Sequence, residues 1–222
     1  MSSVIGAILP LAIGIAISPI PIIAAILMLL SPKAKGTSVG FMLGWVLGIA
    51  VSVTVFTLLS AVVPSEDGSG SPIHGTIQIL LGAVLVLLGL RRWRSRPHPG
   101  EETPLPKWMS AIDAMTAGRA LGLGFVLAAV NPKNLLLGAS AGVTIGSSDL
   151  DTGSIAIAIV VFTLLAAASV TIPVIAYLLA SHRMAAPLQT LRTWLVHNNA
   201  AIMAVLLLVI GFVVIGKGIA NF

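Results

Sequence analysis

No cysteine occurs in the chain, which excludes disulfides, thiolate metal sites and dithiol redox chemistry. Charge is nearly as scarce. Charged residues make up 9% of the sequence, against about 25% in an ordinary soluble domain. The seven acids, Glu66, Asp67, Glu101, Glu102, Asp113, Asp149 and Asp151, all fall outside the apolar runs. No buried carboxylate is therefore on hand to relay protons or to hold a hard cation. His74, His98, His182 and His197 lie near loops and lack metal-ligand spacing. No glycine-rich phosphate loop occurs, which excludes a built-in ATPase, and no nucleophile–base pair is evident. The chain reads as a non-enzyme with no cofactor and no metal.

What remains is apolar. Hydrophobic residues make up 57% of the chain, the composition of an all-α integral membrane protein. Six runs, 4–30, 37–62, 73–91, 119–145, 153–180 and 199–220, each approach the ~20 residues that a helical span needs. The first is too long for the core of a signal peptide, and Met1-Ser2-Ser3-Val4 carries no basic residue, so this run is expected to stay as the first span. Lys33 and Lys35 follow run one, and Arg91, Arg92, Arg94, Arg96 and Lys107 follow run three. Arg119 opens run four, and Arg183 and Arg192 follow run five. The alternate loops carry acids only. Basic loops face the cytoplasm, so both termini are expected outside the cytoplasmic membrane, with Lys217 the one exposed charge against that orientation. Trp93, Trp108 and Trp194 sit in the basic loops, at interfacial depth. The net charge of +5 thus reports membrane orientation, and nucleic acid is not an expected partner.

One stretch conflicts with its surroundings. Asn131-Pro132-Lys133-Asn134 lies in the middle of an uncharged apolar run. Proline removes a backbone donor and breaks the helix, while a lysine at mid-depth costs roughly 2.5–3.5 kcal/mol on insertion scales. Lys133 is about 18 Å from either end of its run, too far to snorkel comfortably. Such groups line cavities or ligand paths. Ser18-Pro19-Ile20-Pro21 places a second break in run one. Setting the two breaks in register also aligns Gly40 with Gly153, and a longer offset pairs Gly82 and Gly89 with Gly211 and Gly218. Pro10 has no counterpart, because Leu123 occupies its matching place. Three runs per unit make the second unit inverted. The expected fold is six transmembrane helices as two inverted three-helix repeats, residues 1–91 and 119–222, with spans one and four broken at mid-membrane prolines. Inverted repeats with matching breaks point to a transporter site near the midplane. The candidate substrate-binding residues are Ser18, Pro19, Pro21, Asn131, Pro132, Lys133 and Asn134.

Residues 92–118 form the expected linker between the repeats. It is basic and proline-rich over 92–108, with a short amphipathic helix over 107–115. The segment 182–197, with Leu188, Leu191, Trp194 and Leu195 at helical spacing, reads as a second surface helix. Gly36, Gly40, Gly44 and Gly48 share one helix face and suit close helix packing, within the chain or in a homodimer.

The run from Ile17 to Lys33 with its Ser18-Pro19-Ile20-Pro21 head, the following Gly40-Phe41-Met42-Leu43-Gly44-Trp45-Val46-Leu47-Gly48, and Ala129-Val130-Asn131-Pro132-Lys133-Asn134-Leu135-Leu136 carry a family resemblance. They resemble the GAP (Sap) family, the glycolipid- or sulfolipid-addressing proteins of the LysE translocator superfamily, over essentially the whole chain. The resemblance implies export from the cytoplasm or inner leaflet and delivery of an envelope glycolipid to the surface, with Pro19, Pro21, Asn131, Pro132 and Lys133 as motif residues. The superfamily's dithiol branch needs cysteine, and its metal-exporting branches need acids or histidines that are missing here. Membrane lipids and a lipid or amphiphilic substrate are the expected partners, transported by alternating access. Two other readings stand beside it: a LysE-type exporter of amino acids or other small solutes, and a non-transporting scaffold for a larger lipid transporter.

Overall fold

The structure, a computed structural model, describes residues 1–61, 72–95, 112 and 114–221. Among these residues it is built of helices alone: α1 (Ser2–Ala16), α2 (Pro19–Leu29), α3 (Ala34–Ala61), α4 (Pro72–Arg94), α5 (Ala117–Ala129), α6 (Pro132–Gly146) and α7 (Thr152–Ile219). The helix starts follow from local chemistry. Pro19 and Pro132 occupy first-turn positions, where a missing N–H costs nothing. Thr116, Asn131 and Asp151 cap α5, α6 and α7 by accepting backbone N–H groups through their side chains.

Both proline breaks are present. The axes of α1 and α2 meet at 52°, and those of α5 and α6 at 62°. At 1.5 Å per residue the two bent pairs measure about 35 Å and about 36 Å from end to end, against the ~30 Å hydrocarbon core that one span would cross. Four helical stretches are long and apolar enough to cross a membrane, and six crossings result if each bent pair is one span. This is a multi-pass membrane protein.

α7 bends at Ala180, whose backbone leaves the helical region (φ −146°, ψ 50°). Its arms are Thr152–Ala180 and Met184–Ile219. The second arm corrects the sequence reading of a separate surface helix over 182–197. The helix runs on to Ile219 with Pro187 inside it. Leu188 and Leu195 are buried while Leu191 and Trp194 are exposed, so only part of the apolar stripe packs against the protein. At 36 residues this arm is about 54 Å long, and part of it must project beyond the hydrocarbon. Most of the 92–118 linker, including Arg96, Lys107, Trp108 and the residues 107–111 of its proposed helix, lies outside the described residues, as do Glu66 and Asp67.

Glycines set two close helix contacts. On α3, Gly40 and Gly44 pack against the backbone carbonyls of Ala117 and Leu121, and Gly48 meets Phe125 and Ala128, all on α5. The α3 glycine face is therefore filled from within the chain. Gly36, a turn earlier, touches only the Cβ of Ala117. The second contact joins α4 to the second arm of α7, where Gly82 and Gly211 lie face to face and Gly218 meets the Gly75 carbonyl. The outer surface is apolar along every long helix, with Leu47, Leu58, Leu87, Leu164 and Phe212 all exposed, as a lipid-facing wall requires.

Candidate functional site

Ser18 precedes Pro19, and its own amide turns back to the Ala16 carbonyl at 2.8 Å. In an unbroken helix that amide would bond the carbonyl of Gly14. The break therefore frees the Gly14 oxygen inside an apolar core. A bare buried carbonyl costs about 1–3 kcal/mol. Here the Lys133 ammonium donates to it at 2.6 Å, and to the Ser18 hydroxyl at 2.5 Å. Ser18 makes no side-chain cap to its own helix, so its Oγ is left to accept from Lys133. Gly14 is a site of close approach: a Cβ there would lie 2.1 Å from the Ile210 Cδ1 and 3.1 Å from the Leu137 Cδ1. Absence of a side chain lets α1, α6 and α7 converge where the lysine enters.

The second break repeats the device. Asn131 caps α6, its Oδ1 accepting the Lys133 amide at 3.1 Å. The carbonyl released behind it belongs to Leu127, and the Asn134 Nδ2 donates to it at 3.0 Å. Gly14 and Leu127 hold matching places, each four residues before its capping residue. Adjacent side chains in the first turn of α6 thus close the exposed carbonyls of both breaks. Ser18, Lys133 and Asn134 are all buried, and the Oδ1 of Asn134 is buried without a partner.

The sequence-selected residues divide by role. Lys133 and Ser18 meet at the core of the site, while Asn134 serves the Leu127 carbonyl of the second break. Asn131 is a local cap. Pro19 and Pro21 are buried in the first turn of α2, whereas Pro132 faces outward. Snorkelling is excluded for Lys133, which is 7% exposed and held by the Gly14 carbonyl of α1 and the Ser18 hydroxyl at the head of α2. Neither oxygen is charged. The described acids, Asp149 and Asp151, sit in the α6–α7 connection, so no described carboxylate faces the Lys133 amine within its apolar wall.

A second polar group lies at the far end of α6 and was missed in the sequence. Gln78 of α4 donates to Thr144 at 3.4 Å and accepts from Asn221 at 3.2 Å. Lys217, read as exposed from the sequence, is half-buried, and its ammonium donates to the Ala7 carbonyl of α1. His74, read as a loop-proximal residue, is buried at 2% exposure with its Nε2 3.3 Å from the Ser60 carbonyl. The signal available was the presence of His74 and Gln78 inside the third apolar run. Among the described residues no group of three or more His, Cys, Asp or Glu could hold a metal ion.

No curated protein and no solved structure matches the chain. A family model described as Sap, sulfolipid-1-addressing protein, matches residues 8–220, covering both breaks and every helix beyond the first turns of α1. On that match the chain belongs to the Sap, sulfolipid-1-addressing protein, family.

Proposed function

We propose that this protein exports an anionic lipid or glycolipid across the cytoplasmic membrane, with Lys133 as the polar contact for its head group. The observation that carries the reading is the Lys133 ammonium, buried at the junction of two broken helices and held only by neutral oxygens. A buried cation without a counter-charge attracts an anion far more strongly than a surface lysine does, because the local dielectric is low. Ser18 and Asn134 complete the polar patch, and the Oδ1 of Asn134 can accept a hydroxyl from the substrate. The rest of the wall is apolar and suits acyl chains. Membership of a lipid-addressing family points the same way.

In this reading the chain crosses the bilayer six times as two inverted repeats, 1–91 and 119–222, joined by 92–118, with both termini outside. The facing of Gly82 and Gly211, residues at matching places in the two repeats, is what a pseudo-two-fold axis between them would produce. Alternating access then requires Lys133 to release Gly14 or Ser18 as the head group arrives. An exchange of one oxygen partner for another keeps the ammonium satisfied throughout.

The test is purified protein in proteoliposomes carrying a fluorescent anionic lipid in both leaflets. Quenching by an external reductant reports leaflet exchange. Wild type should accelerate exchange, and folded Lys133→Met should match empty vesicles. Equal rates for the two proteins would refute the site. Amino-acid efflux without lipid exchange would instead support the small-solute reading, and a wild type inactive toward both would support the scaffold reading.

A further inference from the structure

The ends of α2 and α5 remote from the breaks, with the end of the first arm of α7, border an open surface pocket of about 610 Å³. Lys33, Lys35, Pro32, Met115 and Ala117 are among the residues lining it, with Tyr177 of α7. That volume falls within the ~300–1,000 Å³ of small-ligand sites. We propose that this cavity binds the oxyanion head group of a membrane amphiphile, a phosphate or sulfate ester, and is a separate site from Lys133.

Four features support it. The loop is held in shape by its own hydroxyls: Ser31 donates to the Met28 carbonyl at 2.8 Å and Thr37 to the Lys33 carbonyl at 3.0 Å. Among the described residues neither ammonium has a carboxylate partner; Lys33 and Lys35 are both exposed, so their charge is available to a ligand. The Ala34 and Thr37 amides bond to the Ser31 and Lys33 carbonyls, which leaves the cavity-lining amides of Lys35 and Gly36 without a backbone acceptor. Finally, the lining combines two lysines with the apolar Pro32, Met115 and Ala117, the mixture an amphiphile needs at a membrane interface.

The placement gives the site a use. α2 is 11 residues long and α5 is 13, so the cavity lies about 16–20 Å along either helix from the proline breaks. A head group held there would be one helix length from Lys133. This use rests on the export reading, whereas binding itself does not.

The experiment is calorimetric titration of the full-length protein in neutral detergent with dihexanoyl phosphatidic acid, dihexanoyl phosphatidylcholine and inorganic phosphate. Phosphatidic acid should bind saturably, and Lys33→Gln/Lys35→Gln should weaken it about ten-fold or more. Arg91→Gln/Arg94→Gln removes the same charge from the end of α4, outside the cavity, and should leave binding intact. Competition by inorganic phosphate at similar concentration would confirm an oxyanion site with a soluble ligand, and failure to compete would assign it to the lipid. Equal binding of phosphatidylcholine, or equal weakening by the two double variants, overturns the proposal. In proteoliposomes, loss of exchange in Lys133→Met with binding retained supports two sites. Normal exchange in Lys133→Met with binding lost only in Lys33→Gln/Lys35→Gln removes the export site and leaves this one.

Discussion

Replacing Gly44 by alanine tests how tightly α3 and α5 are joined. An alanine Cβ at this position would lie 1.9 Å from the Leu121 carbonyl oxygen, 2.8 Å from its carbon and 2.9 Å from the Phe125 nitrogen. All three are backbone atoms, so no rotamer change relieves the clash. Ordinary contact begins near 3.4 Å, and the helices must move apart by about 1 Å or more. Overpacking of this kind costs about 1–3 kcal/mol, and the rigid neighbours place Gly44→Ala toward the upper end. Against it stands the intrinsic gain of alanine over glycine within a helix, about 0.5–1 kcal/mol. Gly36→Ala supplies the control, since its nearest neighbour is the Ala117 Cβ at 3.9 Å and only the intrinsic gain applies. The two variants should therefore differ by the overpacking cost alone. Unfolding in mixed micelles with increasing dodecyl sulfate, followed by loss of helicity, measures the difference. Gly44→Ala should unfold earlier than wild type, and Gly36→Ala at the same point or later. Equal midpoints for the two alanine variants would refute the close α3–α5 contact.

Asn134→Leu should lower stability by about 1–3 kcal/mol in the same assay, because the Leu127 carbonyl loses its donor; an unchanged midpoint would contradict the second half of the site. Lys217→Met should release the start of α1, seen as faster hydrogen exchange near Ala7, and unchanged exchange would show that this contact holds nothing. Asp151 has its pKa lowered below the ordinary 3.8, first by the Ser154 hydroxyl and then by the Ser154 amide. The stabilisation is therefore complete above that value and fades as pH falls through the lower, folded-state value. Wild type should be more stable than Asp151→Asn at neutral pH, with the gap closing below pH 3.8; a gap independent of pH would refute the charged cap.

Much of this was legible because prolines and lone charges leave signals in composition. Pro19 and Pro132 located both breaks, and Lys133 with Ser18 and Asn134 identified the polar centre. The acceptors were not legible. Gly14 and Leu127 contribute backbone carbonyls, a group every residue carries, so no residue type marks them. Lys217 was misread for a related reason: a position near the end of a run says nothing of a neighbouring helix supplying the Ala7 oxygen. The unbroken arm from Met184 to Ile219 was hidden by its polar first third, which resembles a loop helix in composition although nothing in it stops the helix. The glycine spacing on α3 announced a close contact but not its partner, which the fold supplies as α5.

The most direct test of the central claim is the surface-extractable lipid profile of a cell lacking this protein, complemented with wild type or with Lys133→Met expressed at equal level. The account predicts that one anionic lipid class disappears from the surface, accumulates inside the cell, and returns to the surface only with wild type. Restoration by Lys133→Met as well would show that the buried lysine merely closes the two helix breaks, and that export, if it occurs, follows another path.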